Sequence, residues 1–216
     1  MYFQDVSSEK AYWTTYDKIL DPWTKGYLGE DPEDASNYVS SAAGSKYGTS
    51  YSYASEAPYK TLPKVASRLE KDTVVSENNE VVLTLIPQRK LHQMNVYTSE
   101  KIPFTSLRFN GKEIPPDSTG QVYGARESKH LLTYFIKETD SLEIAYSVSG
   151  SRQPTFIIQE YSYDLLTHSQ FSINKRPKNT MPKPFVVTDA IIQKHEIDMQ
   201  ELLNQSTDSL RTTLND

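Results

Sequence analysis

Ser106-Leu107-Arg108-Phe109-Asn110-Gly111-Lys112-Glu113-Ile114 decides the fold class. Two short extended arms flank Asn-Gly, where the chain must reverse. Both turn residues tolerate positive φ, which a two-residue hairpin turn demands at both central positions. The stretch therefore reads as a β-hairpin.

The same pattern continues on both sides. Upstream, Val65 to Val75 and Glu80 to Ile86 flank the turn Ser76-Glu77-Asn78-Asn79, and Leu91 to Thr98 follows. In the second of these, Val81, Leu83 and Leu85 share one face and Val82, Thr84 and Ile86 the other, which predicts a central strand covered on two sides. Downstream, Pro115-Pro116-Asp117 and Gly120 break the chain. His130 to Glu138 and Leu142 to Val148 are strands around Thr139-Asp140-Ser141, Gly150 ends the second, and Thr155 to Tyr163 alternates strongly. Strands at a spacing of roughly ten residues with turn signals between them predict an all-β sandwich or barrel, and the sandwich is the expected form.

The N-terminal sixty residues differ. Tyr12-Trp13-Thr14-Thr15-Tyr16 suits a short strand, with a helix over 9–20 as the alternative that Pro22 would stop. Asp21-Pro22 is an N-cap followed by proline at the first helical position, so a short helix is expected over 22–28, ending near Gly29. Residues 29–60 are rich in turn formers, with Tyr47, Tyr51, Tyr53 and Tyr59 recurring. They read as a mobile loop with an edge strand or extended arm. Residues 164–184 hold Pro177, Pro182 and Pro184 and cannot be regular. Phe185-Val186-Val187 and Ala190-Ile191-Ile192 read as one last strand or two short pieces. Asp198 followed by Glu201 marks the start of a C-terminal helix. The expected organisation is an arm and loop over 1–60, a β-sandwich over 61–195 and a helix or tail over 196–216.

Composition limits the function classes. The chain has 216 residues, a formal charge of -5 and no cysteine. Thiolate metal sites, disulfide frameworks and cysteine nucleophiles are excluded. The net charge gives no overall basic footprint for nucleic acid or an anionic bilayer. Apolar runs are far short of the roughly 20 residues a helix needs to cross a membrane, and Met1 to Lys10 carries no secretory h-region.

Catalytic constellations are sparse. His92, His130, His168 and His195 are scattered, although His92 and His130 fall on expected strands that could meet across a sheet. Glu143 and Glu160 also fall on strands, where a solvated face is the ordinary use of a carboxylate. Gly44 to Gly48 fits neither a nucleophile elbow nor a phosphate loop. Trp13, Trp23 and the tyrosines near 47–59 could form a flat stacking platform for sugar rings, or Trp13 and Trp23 pin the arm into the core. Asn174 to Phe185 is a proline-stiffened loop with positive charges on an acidic chain. It reads either as a preformed contact loop or as a crossover covering a sheet edge.

Two segments carry a resemblance. Residues 11–24 read Ala-Tyr-Trp-Thr-Thr-Tyr-Asp-Lys-Ile-Leu-Asp-Pro-Trp-Thr, and residues 175–192 read Lys-Arg-Pro-x-x-x-Met-Pro-x-Pro-Phe-Val-x-x-Asp-Ala-Ile-Ile. With Pro87-Gln88-Arg89 and Asn110-Gly111 between them, the set resembles the C-terminal soluble domain of membrane-embedded di-zinc metallopeptidases, within the aminopeptidase-like family M-twenty-eight. The resemblance covers most of residues 11–192. It implies a non-catalytic extracytoplasmic accessory domain of a longer, membrane-anchored chain, with zinc in the parent peptidase domain and none here. The implied partners are the chain's own peptidase and membrane domains, and a peptide or carbohydrate. The expected contact surface is Tyr12, Trp13, Tyr16, Trp23, Arg176, Met181 and Phe185. A carbohydrate-binding module and a free-standing hydrolase are the competing readings.

Overall fold

A computed structural model describes residues 1–39, 49–70, 80–124, 128–137 and 140–213. Among these, thirteen strands pair into two sheets and two α-helices complete the fold. The strands are β1 (Tyr2–Asp5), β2 (Lys10–Thr15), β3 (Glu33–Asp34), β4 (Tyr53–Glu56), β5 (Ala66–Leu69), β6 (Val81–Ile86) and β7 (Gln93–Thr98). Then come β8 (Phe104–Phe109), β9 (Lys112–Glu113), β10 (His130–Phe135), β11 (Leu142–Val148), β12 (Thr155–Ser162) and β13 (Ile191–Asp198). The helices are α1 (Pro22–Leu28) and α2 (Met199–Thr213). The fold is an all-β sandwich type with a short N-terminal helix and a C-terminal one.

The chain divides into two compact units. Unit 1 comprises Met1–Leu62 and Gln159–His195, and unit 2 comprises Pro63–Ile158 and Glu196–Asp216.

Unit 2 holds an antiparallel sheet in the order β5-β6-β11-β8-β9. The Asn110-Gly111 hairpin is β8–β9. Asn110 and Gly111 take φ of 49° and 74°, and Phe109 pairs with Lys112. Register lays Leu85 and Leu83 of β6 against Leu142 and Ile144 of β11. All four are fully buried, with Leu107 of β8, Met94 and Val96 of β7 and Phe156 and Ile158 of β12 in the same core. Burying each such side chain contributes about 1.5–3 kcal/mol. The other face of β6 is half-covered at Val82 and Ile86. Strands β10 and β11 are neighbours in sequence, yet β10 pairs with β7 while β11 pairs with β6 and β8. At the start of α2, Asp198 Oδ1 accepts the Glu201 N–H at 3.0 Å, the expected cap.

Unit 1 is built on β13-β1-β2-β4-β3. Strand β1 pairs in parallel with β13 and antiparallel with β2. Residues 1–60 thus supply four paired strands and α1 rather than an arm laid over a finished sandwich. Apolar side chains on both faces of β1 explain this: Tyr2 packs in one cluster with Ile191 and Leu62, and Phe3 in another with Ile192 and Ala54. The last strand is single and starts at Ile191, whereas Phe185 to Val187 carry only a bridge at Val186. The sequence features at Gly44 to Gly48, Tyr47, Ser76 to Asn79 and Thr139 lie outside the described residues.

Candidate functional site

The candidate site lies within unit 1, where α1 faces the irregular strap of residues 173–189. Helix α1 starts because Asp21 caps it. Its carboxylate accepts the Thr24 N–H at 2.9 Å and the Thr24 hydroxyl at 3.0 Å, and Pro22 follows. Burial alone would raise the Asp21 carboxyl, but the bonds from Thr24 and Trp23 and the Arg176 charge outweigh it and hold it low. Gly29, at φ 88°, ends the helix with its N–H on Lys25 O. Trp23 and Tyr27 are four residues apart and share one side of α1.

The strap is tied to that side. Trp23 Nε1 donates to Asn174 O at 3.0 Å, and the Asn174 N–H donates to the Tyr27 hydroxyl at 2.7 Å. The Arg176 guanidinium lies 4.5 Å from the centre of the Trp23 ring. Arg176 also forms an ion pair with Asp189, with side chains 18% and 23% exposed. Lys183 Nζ donates to Tyr16 O at 2.8 Å and lies 3.6 Å from Asp17 Oδ1. The ion pair closes residues 176–189 into a compact loop of the Ω kind. Asp189 itself sits at φ 55°, a left-handed conformation in which Asp is one of the tolerated residues.

Between these parts is a cavity of about 90 Å³. Trp13, Trp23, Tyr27, Leu28, Leu165 and Ile173 give it apolar walls, and Asp17, Arg176, Lys183 and Asp189 give it charge. Pockets for drug-sized ligands hold roughly 300–1,000 Å³. The space here suits a few waters or one side chain.

The residues expected as a contact surface divide. Trp13, Tyr16, Trp23, Arg176 and Met181 line the cavity. Tyr12 points to the other face of β2, where it is 7% exposed and packs on Tyr38. The strand alternation that makes Trp13 available turns Tyr12 away. Phe185 is 60% exposed and does not line the cavity. Tyr16 is buried, and burial raises its hydroxyl to about 12 against the opposing effect of Tyr51. The sequence reading missed Tyr27, Lys183 and Asp189. Only the i, i+4 spacing of Trp23 and Tyr27 could have signalled any of them.

Trp13, Trp23 and Tyr27 do not lie in one plane. Trp13 and Tyr27 meet at 58°, Trp23 and Tyr27 at 72°, and Arg176 covers one Trp23 face.

The histidines are placed apart. His130 pairs in register with Tyr97 at one end of β7, whereas Ile136 bonds to His92 O at the other, so the antiparallel register separates His92 from His130. His130 Nε2 lies 3.0 Å from Thr133 Oγ1, and burial lowers its pKa. His168 packs edge-on against Phe171. His195 Nδ1 lies 3.3 Å from Glu160 Oε1, with side chains 3% and 0% exposed. Glu160 therefore does not lie on the solvated face expected for it, because β12 turns it inward with Ser162. Glu143 is half-buried on β11. Among the described residues, no three His, Asp or Glu side chains gather as a group that could hold a metal. Compared with known proteins, the chain matches no family model, no curated protein and no solved structure.

Proposed function

We propose that this chain is a non-catalytic accessory domain that recognises a partner or substrate segment through the cavity between α1 and the 173–189 strap. Its parent is a membrane-bound zinc metallopeptidase, in which the domain stands on the extracytoplasmic side and the zinc belongs to a separate peptidase domain. One observation carries this reading. The two segments whose wording resembles that family, residues 11–24 and 175–192, supply most of the cavity wall. Strings separated by some 150 residues of chain converge on one place, as expected if they serve one contact. The cavity's size favours a single anchoring side chain, with the charged rim supplying orientation.

The test uses antiserum against residues 1–216 on fractionated source cells. A species much larger than this chain, retained in the membrane pellet after an alkaline salt wash and co-purifying with zinc-dependent aminopeptidase activity, supports the reading. A species of this chain's own size, released from or never found with membranes, overturns it.

A further inference from the structure

Three large apolar side chains are exposed on neighbouring loops of unit 1. Ile19 is 91% exposed, Met181 79% and Phe185 60%. They stand on two loops that Lys183 ties together through Tyr16 O and Asp17. Ile19 is two residues beyond Asp17, and Met181 and Phe185 are two residues either side of Lys183. Chain geometry therefore keeps the three within about 25 Å of one another.

The charge on these loops is positive. Lys18, Lys175 and Lys178 are exposed there. The nearby carboxylates are engaged already: Asp17 lies beside Lys183, Asp189 pairs with Arg176, and Asp21 caps α1. The net charge of -5 describes the whole chain; these loops are a local exception. Pro177, Pro182 and Pro184 and the Arg176–Asp189 pair hold the loop in shape, so little chain entropy is lost when it docks.

Two features identify the occupant. Ile19 and Phe185 project from loops outside the cavity, Met181 lines it yet is 79% exposed, and exposed Lys18, Lys175 and Lys178 lie on the same loops. Protein interfaces use Phe and Met as well as Trp, Tyr and Arg, but they are depleted in lysine. Exposed apolar side chains on loops that also carry lysine fit the interface of an anionic bilayer, where the apolar groups enter below the headgroups and the ammonium groups remain at phosphate level. We infer that residues 17–20 and 175–185 form a peripheral docking surface for an anionic lipid bilayer. This stands whether or not the chain belongs to a peptidase.

Sedimentation of the 216-residue chain with vesicles tests it. One set is phosphatidylcholine alone, and the other contains phosphatidylglycerol as well. The anionic set should bind the chain at least about tenfold more strongly, and added salt should weaken the difference. Lys18→Gln, Lys175→Gln and Lys178→Gln should each weaken binding about fivefold. Lys112→Gln, at the start of β9, should leave it unchanged. Ile19→Ser with Met181→Ser and Phe185→Ser should remove binding, with near-ultraviolet circular dichroism confirming the fold. Phe185→Ser alone, at an exposed side chain, keeps the test readable if the triple variant misfolds. Equal binding to both vesicle sets, binding to neither, or loop variants that bind like the parent chain would each overturn the inference. Such binding is released by salt, unlike the anchorage tested above, so the two ideas fail separately.

Discussion

Replacing Arg176 by alanine is the sharpest probe of how the strap is held. The side chain makes two contacts at once: its guanidinium stacks on Trp23 at 4.5 Å and pairs with Asp189. A cation–π contact contributes about 0.5–1 kcal/mol when exposed and about 2 kcal/mol when desolvated. This one lies between those limits, because Arg176 is 18% exposed. An exposed ion pair is worth about 0–1 kcal/mol. Here the substitution also strands a carboxylate that is 23% exposed, and an uncompensated charge-assisted bond costs about 1.5–3 kcal/mol. The expected loss is about 2–5 kcal/mol in urea unfolding followed by circular dichroism, with an unchanged slope. Trp23 fluorescence should shift to the red as its face becomes wet. A double-mutant cycle with Asp189→Asn separates the contributions: the coupling should be about 1 kcal/mol, and Arg176→Lys should fall between the parent and Arg176→Ala because it keeps charge without the planar stack. A loss below about 0.5 kcal/mol, or zero coupling, would refute the reasoning.

Phe3→Ala should cost about 3–5 kcal/mol, because Phe3 is 3% exposed on a strand paired on both sides; urea titration reads this directly. Asp21→Ala should cost about 1 kcal/mol at neutral pH by loss of the α1 cap. The folded carboxyl sits low, so the cap's benefit is present above the ordinary unfolded value of about 3.9. It is lost as pH falls through the folded value, and the gap between parent and variant in urea midpoints should close on acidification. A gap that persists at the lowest pH would show that the carboxylate charge is not what matters. Gly111→Ala should cost about 1 kcal/mol through its φ of 74° alone, since a Cβ there meets nothing within 4 Å. Gly111→Asn, which tolerates the left-handed region, should recover part of the loss in thermal unfolding.

Much of the fold was legible in the residues because its signals are local. Asn110-Gly111 specified a turn through backbone sterics, Asp21-Pro22 started α1 at the expected residue, and Asp198 with Glu201 started α2. What local patterns cannot carry is partner choice. Alternation places Tyr2 and Phe3 on opposite faces, but not that β1 lies between β13 and β2. Proximity in sequence favours pairing β10 with β11, yet the sheets separate them.

The candidate site divides along the same line. Trp13, Trp23, Arg176 and Met181 stood out by composition and lie at the cavity. Lys183, Asp189 and Tyr27 looked ordinary, because their importance comes from what they touch across the unit. Glu160 reads like any strand carboxylate until β12 places it inside, beside His195.

Sequence by itself settled the β class, the hairpin, both helix starts and the absence of thiol chemistry, since each depends on a few adjacent residues or on composition. Tertiary structure alone decided the strand order, the closure of the strap by Arg176 on Asp189, and the tie that Lys183 makes to Tyr16 and Asp17. Those are contacts between residues far apart along the chain, and their free energy exists only once the backbone between them has been folded.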